Sequence, residues 1–115
     1  MKDGFIKVAA GTPDIKVADC EYNRAEITAL IDKAYAAGVR ILALPELCIT
    51  GYTCQDLFFQ QALLDGALNA LREITEHTAG SDMLISVGCP LRFRGELYNC
   101  AVVLKDGKIL GVVPK

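Results

Sequence analysis

The chain has 115 residues, of which 52% are hydrophobic, and its 12 basic and 14 acidic side chains give a formal net charge of −2. This length suffices for one small domain with a modest core, and a mean hydropathy of +0.31 excludes a disordered tail. The acidic balance disfavours nucleic acid or a membrane surface as the partner, and no apolar run approaches the ~20 residues of a transmembrane helix. The N-terminus lacks a secretory h-region, so we expect a cytoplasmic protein.

The cysteines number five, are irregularly spaced and include no C-x-x-C pair, which disfavours a zinc or thioredoxin-like site. Because His77 is the only histidine, a histidine-rich metal centre is also disfavoured, and we predict no metal site. We interpret the cysteines as reduced thiols that are mostly buried. They are Cys20, Cys48, Cys54, Cys89 and Cys100.

Strand-like and helix-like patterns alternate along the chain. Apolar runs predict strands at residues 5–10, 39–44 and 83–87, the last closed by a Gly-Cys-Pro sequence. The run at 39–44 does not alternate with polar residues, which predicts a strand buried on both faces. Helical periodicity covers 19–38, where Asn23 and Glu26 fit a capping box, and 56–79, with a possible break at Asp65 and Gly66.

The last part of the chain has the pattern of a β-hairpin. Apolar runs at 97–104 and 109–113 flank Asp106 and Gly107, and Asp-Gly between such runs is a strong hairpin signal because the turn needs positive φ at both positions. The order β-α-β-α-β followed by a hairpin predicts an α/β fold with a mixed sheet.

Two of the predicted strands end in proline followed by a charged residue, as Pro45-Glu46 and Pro114-Lys115. In open α/β sheets, sites form outside the carboxyl ends of the strands. A carboxylate beside an ammonium group could act as a base while the ammonium stabilises an oxyanion. From spacing alone, solvated charges at strand ends are the favoured alternative by about three to one.

The sequence ALPELCITGY around Glu46 resembles the catalytic-glutamate signature of the nitrilase (carbon–nitrogen hydrolase) superfamily. The opening FIKVAAGTPDIKVADCEYN and the closing LYNCAVVLKDGKILGVVPK resemble that family's first strand and helix and its lysine-bearing hairpin, in the same order. GYTCQDLFF and the residues after it are most similar to the N-terminal glutaminase domain of glutamine-dependent NAD synthetases. The resemblance implies the N-terminal part of a nitrilase-like α-β-β-α sandwich, with the rest of this domain and any synthetase domain outside residues 1–115.

The resemblance implies glutamine hydrolysis by a Glu-Lys-Cys triad. Carried over by position, Glu46 is the general base, Lys115 is the cation that stabilises the tetrahedral intermediate, and Tyr52 lies near the glutamine pocket. The family's nucleophilic cysteine follows the lysine motif, and none of the five cysteines here stands in that context. Cys48 and Cys54 flank the glutamate motif, but no local residue supplies the electropositive surroundings of a reactive thiol. We therefore predict that the 115 residues alone are inactive.

The resemblance also implies partners and cofactors. Glutamine is the substrate, the glutaminase domain needs no cofactor, and the synthetase domain of the same full-length chain uses ATP and magnesium to amidate deamidate-NAD to NAD. A homo-oligomer is expected. One alternative is a stand-alone nitrilase-family amidase acting on another small amide. Another is a non-catalytic α/β binding module, which predicts that Glu46 and Lys115 lie far apart.

Overall fold

The computed structural model of the chain describes residues 4–51 and 60–115. Tyr52, Cys54 and the first residues of the second predicted helix lie outside the described residues. The elements, in chain order, are β1 (Lys7–Ala10), α1 (Cys20–Ala36), β2 (Val39–Ala43), α2 (Gln61–His77), β3 (Leu84–Phe93), β4 (Glu96–Lys105) and β5 (Lys108–Pro114).

The strands form one sheet in the order β1-β2-β3-β4-β5. β1, β2 and β3 are parallel to one another, β4 is antiparallel to β3, and β5 is antiparallel to β4. The predicted α/β class with a mixed sheet is therefore confirmed. The Asp-Gly hairpin is confirmed as well, with φ of +50° at Asp106 and +73° at Gly107.

The third strand differs from its prediction, because it continues through Gly88, Cys89 and Pro90 instead of ending there. β2 pairs with β3 only as far as Ser86, so beyond that point one side of β3 has no strand beside it in the described part of the chain. Proline costs no ladder hydrogen bond on such an edge. A second tight turn then leads into β4, with positive φ at Arg94 and Gly95.

The first helix begins at a different residue from the one the capping pattern indicated. Asp19 is the N-cap, and its side chain accepts a hydrogen bond from the Tyr22 N–H at 3.0 Å. Asn23 instead lies inside α1 and is completely buried. The capping-box prediction was wrong because an asparagine side chain can also bond to a distant main chain, and here it does so. The second helix continues through Asp65 and Gly66 without a break.

Both helices pack on one face of the sheet and bury an apolar core there. Ile27 of α1, Ile74 of α2 and Ile85 of β3 are each completely buried in that layer. The opposite face of the sheet lies open in the described residues. Val8 and Ile41, which are paired across β1 and β2, are 63% and 37% exposed. The prediction that the second strand is buried on both faces is therefore wrong for these residues, since only one of its faces is covered.

Among the helices of the described residues, none combines the length and the apolar character needed to cross a membrane.

Candidate active site

Glu46 follows β2 in a segment that turns across the neighbouring strand. The N–H of Leu44 donates to the carbonyl oxygen of Ser86 at 2.9 Å, and the N–H of Ile49 donates to that of Gly88 at 3.3 Å. Between them, Leu47 has a φ of +52°, a left-handed conformation that few residues with a side chain adopt. We call residues 44–51 the glutamate segment. Its main chain is fixed against β3, which holds the Cα of Glu46 in place.

Gly88 permits this close approach of the glutamate segment to β3. A Cβ atom at position 88 would lie 2.2 Å from the nitrogen of Leu47 and 2.5 Å from the carbonyl oxygen of Pro45. Both contacts are to main-chain atoms, so no side-chain rotation could relieve them. The glycine that sequence reasoning took for a strand end is thus the point at which two backbones meet.

Asn23 holds the other side of the glutamate segment. Its side-chain Nδ2 donates to the carbonyl oxygens of Lys16 and Ile49, each at 2.8 Å, and its Oδ1 accepts from the N–H of Lys16 at 2.7 Å. A buried amide with these partners is satisfied, and it ties α1 to the loop before it and to the glutamate segment. Sequence reasoning placed this asparagine at a helix end and missed the connection.

Lys115 follows β5, the strand at the opposite edge of the sheet from β1, and its side chain lies beside Glu46. Its N–H donates to the carbonyl oxygen of Asn99 in β4 at 2.9 Å, directly after the end of β5. Its Nζ lies 3.6 Å from Oε2 of Glu46. This separation lies in the range of about 3–6 Å over which such groups bond or influence each other's charge. A binding module with unrelated Pro-Glu and Pro-Lys sequences would not require this convergence.

Asn99 is a third polar side chain at this point, and sequence reasoning did not identify it. Its Nδ2 donates to Oε1 of Glu46, the oxygen that does not face Lys115. The signal available in the sequence was the position of Asn99 in the hairpin strand that leads towards Lys115. That signal depends on the register of β4 against β5, and this register shifts by one residue between Val103 and Leu104.

These three side chains line a cavity of about 360 Å³ on the open face of the sheet. Ser86 and Ala101 contribute to its floor. The side chains of Glu46 and Lys115 are 55% and 74% exposed. An ion pair this exposed contributes about 0–1 kcal/mol to stability, so folding stability gives little reason for the two charges to meet. The arrangement provides a carboxylate, an ammonium and an amide donor at one accessible cavity.

The described cysteines do not face this site as reactive thiols. Cys20, Cys48, Cys89 and Cys100 are buried, as predicted, and form no disulfide among the described residues, whereas Cys54 lies outside them. Burial raises the pKa of the Cys48 thiol to about 11 and also raises the pKa of Cys89 and Cys100. Cys100 lines the cavity but follows Asn99 in the strand, so its side chain lies on the opposite, core face.

The positions of the cysteines also show whether they could form a disulfide or hold a metal ion. Cys89 and Cys100 are cross-strand partners, which places their Cα atoms within the ~7 Å that a disulfide requires. Both thiols are nonetheless buried with raised pKa values, and such thiols react slowly with oxidants. Within residues 4–51 and 60–115, His, Cys, Asp and Glu side chains form no group of three that could hold a metal ion.

Comparison with known proteins identifies the family of the chain. The carbon-nitrogen hydrolase family matches residues 7–115. The chain belongs to this family. The chain is 37% identical over 112 residues to the glutamine-dependent NAD(+) synthetase of Mycobacterium tuberculosis. This match covers 97% of the chain and 16% of that relative. The chain therefore spans about a sixth of the length of this curated relative.

Solved structures give the same result. The crystal structure of a glutamine-dependent NAD(+) synthetase from Cytophaga hutchinsonii superposes with a TM-score of 0.89 at 35% identity, over 96% of this chain and 19% of that one. An amidase from Nesterenkonia sp. superposes with a TM-score of 0.78 at 20% identity, over 100% of this chain and 44% of the amidase. The second likeness shows the shared fold alone. The chain thus has the nitrilase-type fold and resembles the N-terminal part of the NAD synthetases.

Proposed function

We propose that residues 1–115 are part of the glutaminase domain of a glutamine-dependent NAD synthetase. The observation that carries the proposal is the approach of Lys115 Nζ to within 3.6 Å of Glu46 Oε2 in a chain whose relatives bear that name. In the proposed reaction, glutamine is hydrolysed to glutamate, and the ammonia passes to a synthetase domain of the same protein. That domain uses ATP and magnesium to amidate deamidate-NAD to NAD.

The three polar groups suit the hydrolysis of an amide. Glu46 accepts the proton of a cysteine thiol, whose sulfur attacks the amide carbonyl of glutamine. Lys115 stabilises the negative charge that develops on the carbonyl oxygen. The tetrahedral intermediate breaks its C–N bond, Glu46 returns the proton to the leaving nitrogen, and ammonia departs. Water, deprotonated by Glu46, then attacks the thioester and releases glutamate and the thiol.

The nucleophile in this scheme is a cysteine outside residues 1–115. This assignment is supported by the burial of Cys48 and Cys89, which raises the pKa of both thiols, and by the position of Cys100 on the core face of β4. We therefore expect the isolated 115-residue chain to release no ammonia from glutamine above background. The complete gene product that contains these residues should release it. Turnover by the isolated chain would contradict the assignment of the nucleophile, whereas an inactive complete product would contradict the proposed function itself.

The role of Lys115 can be tested in the complete gene product. Lys115→Met keeps the length of the side chain and removes its charge, so glutamine hydrolysis should fall by about 100-fold or more because the oxyanion loses a charged partner. Lys108→Met is the matched control, since Lys108 is an exposed lysine at the start of the same strand. It should leave hydrolysis within about twofold of the wild-type rate, as a surface change away from the site. Equal rates in the two variants would exclude a role for Lys115.

Tyr52 is proposed to contact glutamine. Replacing it with phenylalanine should raise KM for glutamine more than it lowers kcat, because the substitution removes one hydrogen-bonding group. An unchanged KM would remove Tyr52 from the site.

The two enzyme hypotheses differ in what the ammonia is used for. A synthetase forms NAD from deamidate-NAD and glutamine and needs ATP and magnesium to do so. A stand-alone amidase hydrolyses its amide without deamidate-NAD, ATP or magnesium. Formation of NAD by the complete gene product supports the synthetase, and hydrolysis without NAD formation supports the amidase. The proposed homo-oligomer is tested by light scattering on the same preparation.

A further inference from the structure

We infer that Asn99 is a positioning residue that fixes the carboxylate of Glu46 for proton transfer. The inference rests on the proposed hydrolase function and assigns a role to a side chain outside the Glu-Lys-Cys triad. Asn99 touches both of the charged site residues, through different atoms. Its side-chain Nδ2 donates to Glu46 Oε1, and its main-chain carbonyl oxygen accepts the N–H of Lys115 at 2.9 Å.

The two oxygens of Glu46 have different partners. Oε1 accepts from Asn99, while Oε2 faces Lys115 Nζ at 3.6 Å. A carboxylate held by one partner can still rotate about its last bond, whereas two donors on separate oxygens fix the plane of the group. Proton transfer requires the accepting lone pair to lie within hydrogen-bond reach of the donor, so a fixed plane favours the reaction.

An amide suits this position because it is uncharged and does not exchange a proton with Glu46. It donates a hydrogen bond to the carboxylate but carries no charge and gives up no proton at neutral pH. A second lysine in its place would hold Glu46 in an ion pair on both oxygens, and an aspartate would repel it. Asn99 therefore restrains Glu46 while leaving Lys115 as the one cation that contacts it within the described residues.

The main chain of Asn99 gives the restraint a rigid base. Asn99 lies in the central part of the antiparallel sheet, opposite Pro90 of β3, and its carbonyl oxygen bonds to the residue after β5. Glu46 in turn is held by the contact of its segment with Gly88. The donor and the acceptor are therefore each fixed to β3 or β4, and a side-chain bond between them has little freedom to shift.

The test uses the complete gene product, with glutamine hydrolysis as the assay. Asn99→Asp keeps the shape of the side chain but replaces the donor with a carboxylate. It should lower kcat by about 10- to 100-fold, because a catalytic group is misplaced or repelled, with a smaller change in KM. Asn69→Asp is the matched control, because Asn69 is an exposed asparagine in α2 and its replacement changes the net charge by the same amount. An unchanged kcat in Asn99→Asp would overturn the inference.

A spectroscopic measurement keeps the inference testable if Asn99→Asp does not fold. In the wild-type protein, the side-chain amide protons of Asn99 should resonate downfield of those of Asn69 in an NMR spectrum. Glu46→Gln should move the Asn99 signals and leave the Asn69 signals in place. Asn99 signals that do not respond to Glu46→Gln would overturn the inference. If the wild-type protein hydrolyses no glutamine while the Asn99 signals respond as expected, the proposed function fails and the contact stands.

Discussion

Val103 of β4 lies opposite Gly111 of β5, although its neighbour Leu104 lies opposite Ile109. Leu110 is therefore an extra residue with no partner across the ladder, which defines a β-bulge. Because side chains alternate between the two faces of a sheet, this single extra residue decides which face each later residue of β5 occupies. With the bulge, Lys115 meets Asn99 and faces Glu46. Without it, Lys115 would lie opposite Tyr98 and face away.

Insertion of one alanine between Val112 and Val113 should abolish the site while leaving the hairpin turn and the bulge intact. The inserted residue takes the place opposite Ala101, so Lys115 moves opposite Tyr98 and loses its contact with Glu46. In the complete gene product, we expect glutamine hydrolysis to fall by about 100-fold or more, as it does when charge stabilisation of an oxyanion is lost. Leu110→Ala keeps the register and should stay within about twofold of wild type, since Leu110 is 58% exposed. Retained activity after the insertion would show that the register of β5 does not set the position of Lys115.

Gly88→Ala tests the close approach of the glutamate segment to β3. The added Cβ would overlap main-chain atoms of Leu47 and Pro45, so the segment must move. We expect the free energy of unfolding to fall by about 1–3 kcal/mol, as in other overpacked sites, when measured by urea denaturation. Gly111→Ala is the control, because a Cβ there meets no atom within 4 Å. A Gly88→Ala variant as stable as Gly111→Ala would contradict the contact.

Asn23→Ala tests the hydrogen bonds between α1 and the glutamate segment. The substitution removes the hydrogen-bond partner of the buried carbonyl oxygen of Ile49 and of the partly buried N–H of Lys16, and an unpaired buried group costs about 1–3 kcal/mol. We expect a total loss of about 2–4 kcal/mol in the free energy of unfolding. Asn69→Ala removes an asparagine from the exposed face of α2 and should change stability by less than about 0.5 kcal/mol. Similar losses in both variants would mean that the Asn23 bonds contribute little.

Stability should depend on pH through the Cys48 thiol. Its pKa is raised by burial from 9.0 to about 11, so the folded protein retains this proton at pH values where the unfolded chain loses it. The associated stability is present in full below pH 9 and is lost as the pH rises through 11, by about 2 kcal/mol at pH 11. Urea denaturation between pH 8 and 11 should show a steeper decline for the wild type than for Cys48→Ala. Parallel declines would exclude this contribution.

The order of the elements could be predicted from the sequence because it depends on local patterns. The pairing of Glu46 with Lys115 was an expectation of the family resemblance, since spacing alone favoured solvated charges at the strand ends. Apolar runs marked the strands, and Asp106-Gly107 marked the last turn. Three features depended on contacts between distant parts of the chain and were missed or misread. Gly88 looks like a strand end unless the crossing of the glutamate segment is known, Asn23 looks like a cap, and the bulge at Leu110 changes a register that turn chemistry alone places one residue away.

The measurement that tests the account most directly is the rate of ammonia release from glutamine by the complete gene product carrying Glu46→Gln. Glutamine at this position keeps the size of the side chain but cannot accept the thiol proton, so the rate should fall by about 100-fold or more. Glu96→Gln is the control, because Glu96 is an exposed glutamate of β4, and it should retain the wild-type rate within about twofold. A Glu46→Gln variant that releases ammonia as fast as Glu96→Gln would contradict the assignment of Glu46 as the base of an amide-hydrolysing site.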